Sequence, residues 1–147
     1  MQLMTQEMTE PDKKVRSLMI IDDSEADVYL TRKFLEMTGR FDHVFNASNG
    51  EEALEYFKKL MNGGGKKPDV ILLDINMPRM NGFEFLEEYE KLLKANGNTT
   101  DCYILMFTTS DYADDVERAD KFHSVSRYLT KPLTQENAQL IADEFGS

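Results

Sequence analysis

The chain alternates five times between a short apolar run and a longer segment whose apolar residues recur at helical spacing. The apolar runs have the length of strands and cover residues 18–21, 44–47, 70–73, 103–107 and 127–129. The first, third and fourth runs are almost continuously apolar, which is typical of strands buried on both faces of a parallel sheet. Five β-α units in succession predict an α/β fold with a five-stranded parallel sheet and five helices.

The helical segments place their apolar residues on one side, and capping residues mark where the helices begin and end. In the first, Ser24 is a natural N-cap, Asp27 stands at the fourth position of a near capping box, and Gly39 is a natural stop. We expect its apolar stripe to face the core: Ala26, Tyr29, Leu30, Phe34 and Met37. Because crossovers between parallel strands are right-handed, we expect a doubly wound, flavodoxin-like sheet of strand order 2-1-3-4-5.

Length and charge narrow the class of protein. A chain of 147 residues fits one domain, and we expect a flexible polar leader over residues 1–16 and a single domain over 17–147. The net charge of −10 argues against direct binding of nucleic acid, which requires clustered Lys and Arg. No apolar stretch approaches the roughly 20 residues that span a bilayer, and the lone Cys102 suits a reducing compartment. We therefore expect a cytoplasmic protein without membrane insertion.

Chemically useful side chains follow four of the predicted strands. Asp22 and Asp23 follow the first strand, Asp74 the third, Thr108 the fourth and Lys131 the fifth. In an open parallel sheet, ligands bind beyond the carboxyl ends of the strands, so these groups should meet in one crevice. Three carboxylates there repel one another, and a hard cation such as Mg²⁺ would remove that cost because it prefers oxygen ligands.

This arrangement suits phosphoryl transfer onto a carboxylate. Asp74 is the best nucleophile candidate, since it ends the most central apolar strand, and Lys131 with a hydroxyl would neutralise the phosphoryl oxygens. Each residue also has an ordinary structural interpretation: Asp22 or Asp23 as a helix N-cap, Lys131 as a surface lysine before a proline. The coincidence at four strand ends makes the functional interpretation the better one.

Five sequence segments together resemble the receiver domain of two-component response regulators. They are 19–24 (MIIDDS), 68–78 (PDVILLDINMP), 80–82 (MNG), 107–110 (FTTS) and 128–133 (YLTKPL), and the resemblance covers residues 18–145. The longer connectors at 63–67 and 96–101 are similar to those of single-domain, phytochrome-associated members. One departure is Thr109, where the family prefers a smaller residue.

The resemblance implies a role for each acidic residue. Asp74 would accept the phosphoryl group from a histidine kinase or a phosphotransfer protein. Asp23, Asp74 and the backbone carbonyl of Asn76 would bind Mg²⁺ directly, and Asp22 would reach the metal through water. Such a protein catalyses its own phosphorylation and dephosphorylation without being a conventional turnover enzyme.

The resemblance also implies how the signal leaves the site. Lys131 would pair with the phosphoryl oxygens, Thr108 would be the switch hydroxyl, and Tyr128 the switch aromatic that turns inward. An output protein would bind the face formed by the fourth helix, the fifth strand and the fifth helix. That face would carry Val116, Phe122, Tyr128 and Ala138. Since the sequence ends at Ser147, just after the fifth helix, we expect a stand-alone regulator that signals through a partner or onward phosphotransfer.

Three alternatives fit the residues less well, and two of them are functions outside this family. A haloacid-dehalogenase-type phosphatase also uses an aspartate after a strand, but it requires a second aspartate two residues on, where this chain has Asn76. A flavin-binding, flavodoxin-like module would place a glycine- and hydroxyl-rich phosphate loop after the first strand, where Asp22 and Asp23 would instead repel phosphate. A degenerate docking receiver would have lost an acidic residue or Lys131, and neither is lost.

Overall fold

In the computed structural model, residues 13–97, 102–110 and 112–147 are described, and they form five β-α units in succession. The strands are β1 (Val15–Ile21), β2 (Phe41–Ala47), β3 (Val70–Leu73), β4 (Tyr103–Thr108) and β5 (Val125–Thr130). The helices are α1 (Glu25–Thr38), α2 (Gly50–Met61), α3 (Gly82–Ala95), α4 (Ala113–Asp120) and α5 (Gln135–Phe145). All five predicted strands are confirmed, and only β3 has the predicted length; the others extend further.

The five strands form one parallel sheet of order β2-β1-β3-β4-β5. The predicted flavodoxin-like α/β fold is therefore confirmed. The register pairs Ile21 with Leu73 and Leu73 with Met106, so β1, β3 and β4 end almost level. The residues that follow these strands consequently begin at the same edge of the sheet.

Two apolar layers cover the sheet, because successive side chains of a strand point to opposite faces. In β1, Met19 and Ile21 belong to the layer under α2, α3 and α4, whereas Leu18 and Ile20 belong to the layer under α1 and α5. All four side chains are buried. Their burial on both faces explains the continuous apolar run in the sequence.

The predicted buried face of α1 is wrong. The helix buries Val28, Thr31 and Leu35, which are spaced three and four residues apart and therefore share one face. Three members of the predicted stripe point outward instead: Tyr29, Leu30 and Met37 are each more than half exposed. Phe34 is partly buried against the layer under α1 and α5, and Ala26 is exposed.

Two smaller expectations also need correction. The predicted leader extends to residue 16, but residues 15 and 16 lie in β1, where Val15 is buried and pairs with Phe41; residues 1–12 lie outside the described part. Ala138 was expected on an exposed output face, yet it is fully buried in the core, since the first turn of α5 packs on the sheet. Across residues 13–97, 102–110 and 112–147, no helix combines the length and apolar character needed to cross a bilayer.

Candidate functional site at the carboxyl edge of the sheet

The carboxyl edge of the sheet brings five of the predicted site residues together. Asp22 follows β1 and Asp74 follows β3, and both are buried. Backbone hydrogen bonds continue the strand pairing by one residue and fix these two positions: Asp22 N–H donates to the Ala47 carbonyl at 3.1 Å, and Asp74 N–H donates to the Ile21 carbonyl at 3.0 Å. The positions of both carboxylates are thus set by the sheet rather than by a loop.

Three carboxylates form a compact acidic cluster. One carboxylate oxygen from each of Asp22, Asp23 and Asp74 lies within 4.8 Å of the other two. Asp22 and Asp74 are buried, while Asp23 is exposed at the mouth of the site. Oxygen donors at this spacing fit a hard divalent cation, which would also relieve their mutual repulsion. The donor chemistry therefore fits the metal site that was predicted from the sequence.

Lys131 is the positive charge of the cluster, and it lies just after β5 next to a cis Lys131–Pro132 peptide bond. Its Nζ lies 2.5 Å from Asp22 Oδ2, 2.9 Å from Asp27 Oδ2 and 3.5 Å from Asp74 Oδ2. Burial disfavours the charged ammonium, but the hydrogen bonds to Asp22 and Asp27 and the nearby charge of Asp74 outweigh burial and raise the pKa of Lys131. The surroundings of Lys131 thus favour its charged form.

The surroundings of Asp74 have opposing effects on the pKa of its carboxyl group. Burial raises the pKa of its carboxyl group, and the charge of Asp22 raises it further, whereas Lys131 and a hydrogen bond with Thr108 lower it. The net effect is a raised pKa. Thr108, the last residue of β4, is completely buried beside this carboxylate. A cation bound beside Asp74 would favour the charged carboxylate and so oppose the effect of burial.

The loop from β3 to α3 passes very close to Asp74. A Cβ placed on Gly82 would lie 2.4 Å from the Asp74 carbonyl oxygen, so a side chain at this position does not fit. The Gly82 N–H donates to the Ile75 carbonyl at 2.8 Å, and a capping box between Asn81 and Glu84 fixes the start of α3. Asn76 lies exposed in the same loop, and the role of its carbonyl as a metal ligand stays a prediction.

Tyr128 connects the site to α4. Its side chain is half-buried, and its hydroxyl donates to the Ser110 carbonyl at 2.7 Å. The Ser110 hydroxyl in turn donates to Asp115 Oδ2 in the first turn of α4 at 2.5 Å. Since Ser110 follows Thr108 by two residues, a shift of the segment after β4 would move both contacts together.

Asp27 is the site residue that the sequence interpretation missed. It was assigned to a near capping box, and half of that box is present: Ser24 Oγ accepts from the Asp27 N–H at 3.2 Å. The Asp27 carboxylate, however, binds Lys131, and the Ser24 N–H donates to Asp22 Oδ1 at 2.9 Å instead. The available signal was its position: Asp27 lies one helical turn after Asp23, on the helix that begins at the site.

Comparisons with known proteins identify a matching family and similar chains. The family model described as response regulator receiver domain matches residues 18–142. The probable methanogenesis regulatory protein FilR2 of Methanothrix harundinacea is 28% identical over 86% of this chain and 79% of its own length. Protein PilH of Pseudomonas aeruginosa is 31% identical over 81% of this chain and 88% of its own length.

Solved structures with the same fold include several response regulators. A two-component response regulator from Cytophaga hutchinsonii has a TM-score of 0.78 at 25% identity, covering 88% of this chain and 95% of its own. The phosphorylated cyanobacterial phytochrome response regulator RcpA has a TM-score of 0.68 at 26% identity, covering 88% and 89%. The Mn²⁺-bound form of response regulator Rcp1 has a TM-score of 0.65 at 28% identity, covering 87% and 89%.

Proposed function

Because the chain belongs to the response regulator receiver domain family, whose members are the phosphoacceptor modules of two-component signalling, we propose that Asp74 is its phosphoacceptor. The observation that carries the proposal is the position of the Asp74 carboxylate. It stands at the end of the buried strand β3, within 4.8 Å of oxygens from two other carboxylates and 3.5 Å from the ammonium of Lys131.

The transfer step follows from this position. One oxygen of the Asp74 carboxylate attacks the phosphorus of a donor phosphohistidine. An O–P bond forms, the P–N bond breaks, and its electron pair returns to the ring nitrogen, so that the histidine leaves as neutral imidazole that keeps the proton on its other nitrogen. The product is an acyl phosphate whose oxygens carry the charge that must be neutralised. Lys131 supplies one positive charge, and the Thr108 hydroxyl supplies a hydrogen bond. We assign both residues to the stabilisation of the phosphoryl group rather than to the attack.

We assign the cation site to Asp22, Asp23 and Asp74, with the backbone carbonyl of Asn76 as a further ligand. Mg²⁺ is the proposed metal, since it takes oxygen ligands and keeps several waters. Bound there, it would supply charge neutralisation for the incoming phosphoryl oxygens. The similar response regulator Rcp1 has a Mn²⁺-bound form, which supports the binding of a divalent cation by this chain.

The proposed signal runs from Thr108 to Tyr128 and α4. When a phosphoryl group draws the Thr108 hydroxyl, the segment after β4 shifts, and this segment holds the hydroxyl of Tyr128 through the Ser110 carbonyl. We propose that the face of α4, β5 and α5 then binds an output protein, in accordance with an order-and-packing switch. Ala138 is buried and contributes no contact surface there.

The proposed phosphodonor is a histidine kinase or a phosphotransfer protein.

Neither the phosphatase nor the flavin-binding alternative has comparable support. A haloacid-dehalogenase-type mechanism would require an acid-base carboxyl group at position 76, which is Asn76. A flavin site would have to accept an anionic phosphate beside Asp22 and Asp23, whose carboxylates already crowd the edge of the sheet.

A phosphoryl mimic tests the proposal directly. With Mg²⁺ present, beryllofluoride should bind the wild-type protein in a one-to-one complex, measured by ¹⁹F NMR and calorimetry, because it coordinates a carboxylate as a phosphoryl group does. Asp74→Asn should not bind it. Equal binding by Asp74→Asn would contradict the assignment, and the exposed Asp42→Asn serves as the control for removal of one acidic group.

A further inference from the structure

Asp27 is a fourth carboxylate beside the site, and it shares Lys131 with the acidic cluster. The Nζ of Lys131 lies 2.9 Å from Asp27 Oδ2 and 2.5 Å from Asp22 Oδ2, which are hydrogen-bond distances. Asp74 Oδ2 is further away, at 3.5 Å. The ammonium has three N–H groups, and the hydrogen bonds to Asp22 and Asp27 use two of them, which leaves one for Asp74.

We propose that Asp27 is a positioning residue that competes with the phosphoryl group for Lys131 and thereby weakens retention of the phosphoryl group on Asp74. The proposal rests on the phosphoacceptor role of Asp74 and adds a residue that sets how tightly the phosphorylated state is held. Asp27 lies in the first turn of α1 and is not among the carboxylates grouped around the cation site. Its effect would therefore come from its charge and its hold on Lys131, and not from binding the cation.

The charges around Lys131 indicate that Asp27 competes with a phosphoryl group for this lysine and does not help to bind the group. One lysine cation lies among four carboxylates, and phosphorylation of Asp74 replaces one negative charge by a group that carries nearly two. Asp27 and Asp74 both contact the same Nζ, so their Oδ2 atoms are at most about 6.4 Å apart, the sum of the two Nζ distances. A carboxylate at this distance repels a phosphoryl group on Asp74 and draws the ammonium away from it.

Lys131 does not depend on Asp27 for its place. The lysine side chain is 7% exposed, its Nζ lies 5.8 Å from the centroid of the Phe107 ring, and Asp22 holds it at the shorter distance. The Asp27 side chain is 40% exposed. It lines the rim of an apolar cavity of about 190 Å³ together with Leu30 and Pro132. Removing the charge of Asp27 should therefore leave Lys131 in place with more of its charge available to the phosphoryl group.

The test is the affinity of Asp27→Asn for beryllofluoride at saturating Mg²⁺, measured by calorimetry. The substitution keeps the size of the side chain and its backbone N–H, which caps α1 through Ser24. We expect an affinity about three to ten times higher than that of the wild type, as one charge at this distance in a half-exposed setting predicts. Asp27→Glu, which keeps the charge, should stay within about twofold of the wild type on the same argument.

A matched control separates this local effect from net charge. Glu36→Gln removes one negative charge from an exposed position at the far end of the same helix, and it should not change the affinity. An unchanged or lower affinity of Asp27→Asn would overturn the proposal, because Asp27 would then be neutral or an anchor for Lys131. Failure of the wild-type protein to bind beryllofluoride would instead overturn the phosphoacceptor role of Asp74.

Discussion

Replacing Asp74 by Asn should stabilise the metal-free protein, although it removes the residue proposed to carry the function. The Asp74 carboxylate is buried, and a carboxylate oxygen of Asp22 and one of Asp23 each lie within 4.8 Å of one of its own. Burial is the main cause of its raised pKa, and the charge of Asp22 adds to it. Sites built for function commonly hold such unfavourable interactions, and relieving them raises stability.

The magnitude follows from the distances. The cluster oxygens of Asp22 and Asp74 are at most 4.8 Å apart, and two unit charges at that distance repel by about 3.5 kcal/mol at an effective dielectric constant of about 20, so this pair repels by at least about that much. The exposed Asp23 contributes about half of that, whereas Lys131 at 3.5 Å attracts Asp74 by about 5 kcal/mol. The repulsion and attraction nearly cancel, and the cost of burying the charge remains. We therefore expect Asp74→Asn to raise the free energy of unfolding by about 0.5 to 2 kcal/mol.

Urea denaturation followed by circular dichroism, with EDTA present, measures this gain. In thermal unfolding, the same gain should raise the Tm, since each 1 kcal/mol corresponds to about 2 to 4 °C for a chain of this size. Asp42→Asn, which removes an exposed carboxylate that is 4.0 Å from Lys14, controls for the change in net charge. The reasoning is refuted if Asp74→Asn is less stable than the wild type, or gains no more than Asp42→Asn does.

The same argument fixes the pH dependence of the gain. The pKa of Asp74 is higher in the folded protein than in the unfolded chain. As the pH rises from the unfolded to the folded pKa, the wild type therefore loses stability relative to a variant with a neutral side chain at this position. The advantage of Asp74→Asn should therefore be complete above the raised pKa and vanish at pH values below the ordinary pKa. An advantage that persisted in strong acid would show a cause other than charge.

Three further substitutions test individual contacts. Gly82→Ala should lower the free energy of unfolding by about 1 to 3 kcal/mol, because its Cβ would lie 2.4 Å from the Asp74 carbonyl oxygen; wild-type stability in urea would contradict that contact. Lys131→Ala should keep the fold but lose about tenfold or more in beryllofluoride affinity, and an affinity equal to that of the wild type would contradict its role. Tyr128→Phe should cost about 0.5 to 1.5 kcal/mol, the value of its hydrogen bond to Ser110, and an unchanged midpoint in urea would show that this bond adds nothing.

The sheet could be predicted from the apolar runs, because burial of a strand on both faces is visible in the local sequence. Continuous apolar runs such as 70–73 are found where a strand is buried on both faces, and Val70–Leu73 is fully buried. The site could be predicted for the same reason: in a parallel sheet the residues after the strands meet at one edge. Asp22 and Asp74 needed only their positions at strand ends to be brought together.

The buried face of α1 could not be found from the apolar residues alone. Tyr29, Leu30 and Met37 outnumber the apolar members of the true face, which includes the polar Thr31. Which face is buried depends on how the chain leaves Asp23 and packs α1 on the sheet, and this is a property of the tertiary structure. Periodicity identified the helix but not its rotation.

The ion pair between Asp27 and Lys131 could not be predicted from the sequence either. The two residues are 104 positions apart in the chain, and the position of Asp27 after Ser24 has a sufficient local explanation as part of a helix cap. Only the packing of α1 beside the segment after β5 brings its carboxylate to the lysine. A side chain with a plausible local role thus has a second role at the site.

Phosphorylation itself tests the central claim most directly. Wild-type protein and Asp74→Asn are incubated with acetyl phosphate and Mg²⁺, and the modified residue is located by mass spectrometry after proteolysis. The wild type should gain one phosphoryl group on the peptide that contains Asp74. That group should be lost on treatment with hydroxylamine, as an acyl phosphate is, and should not form when EDTA is present. Equal phosphorylation of Asp74→Asn, or a stable modification on another residue, would contradict the account.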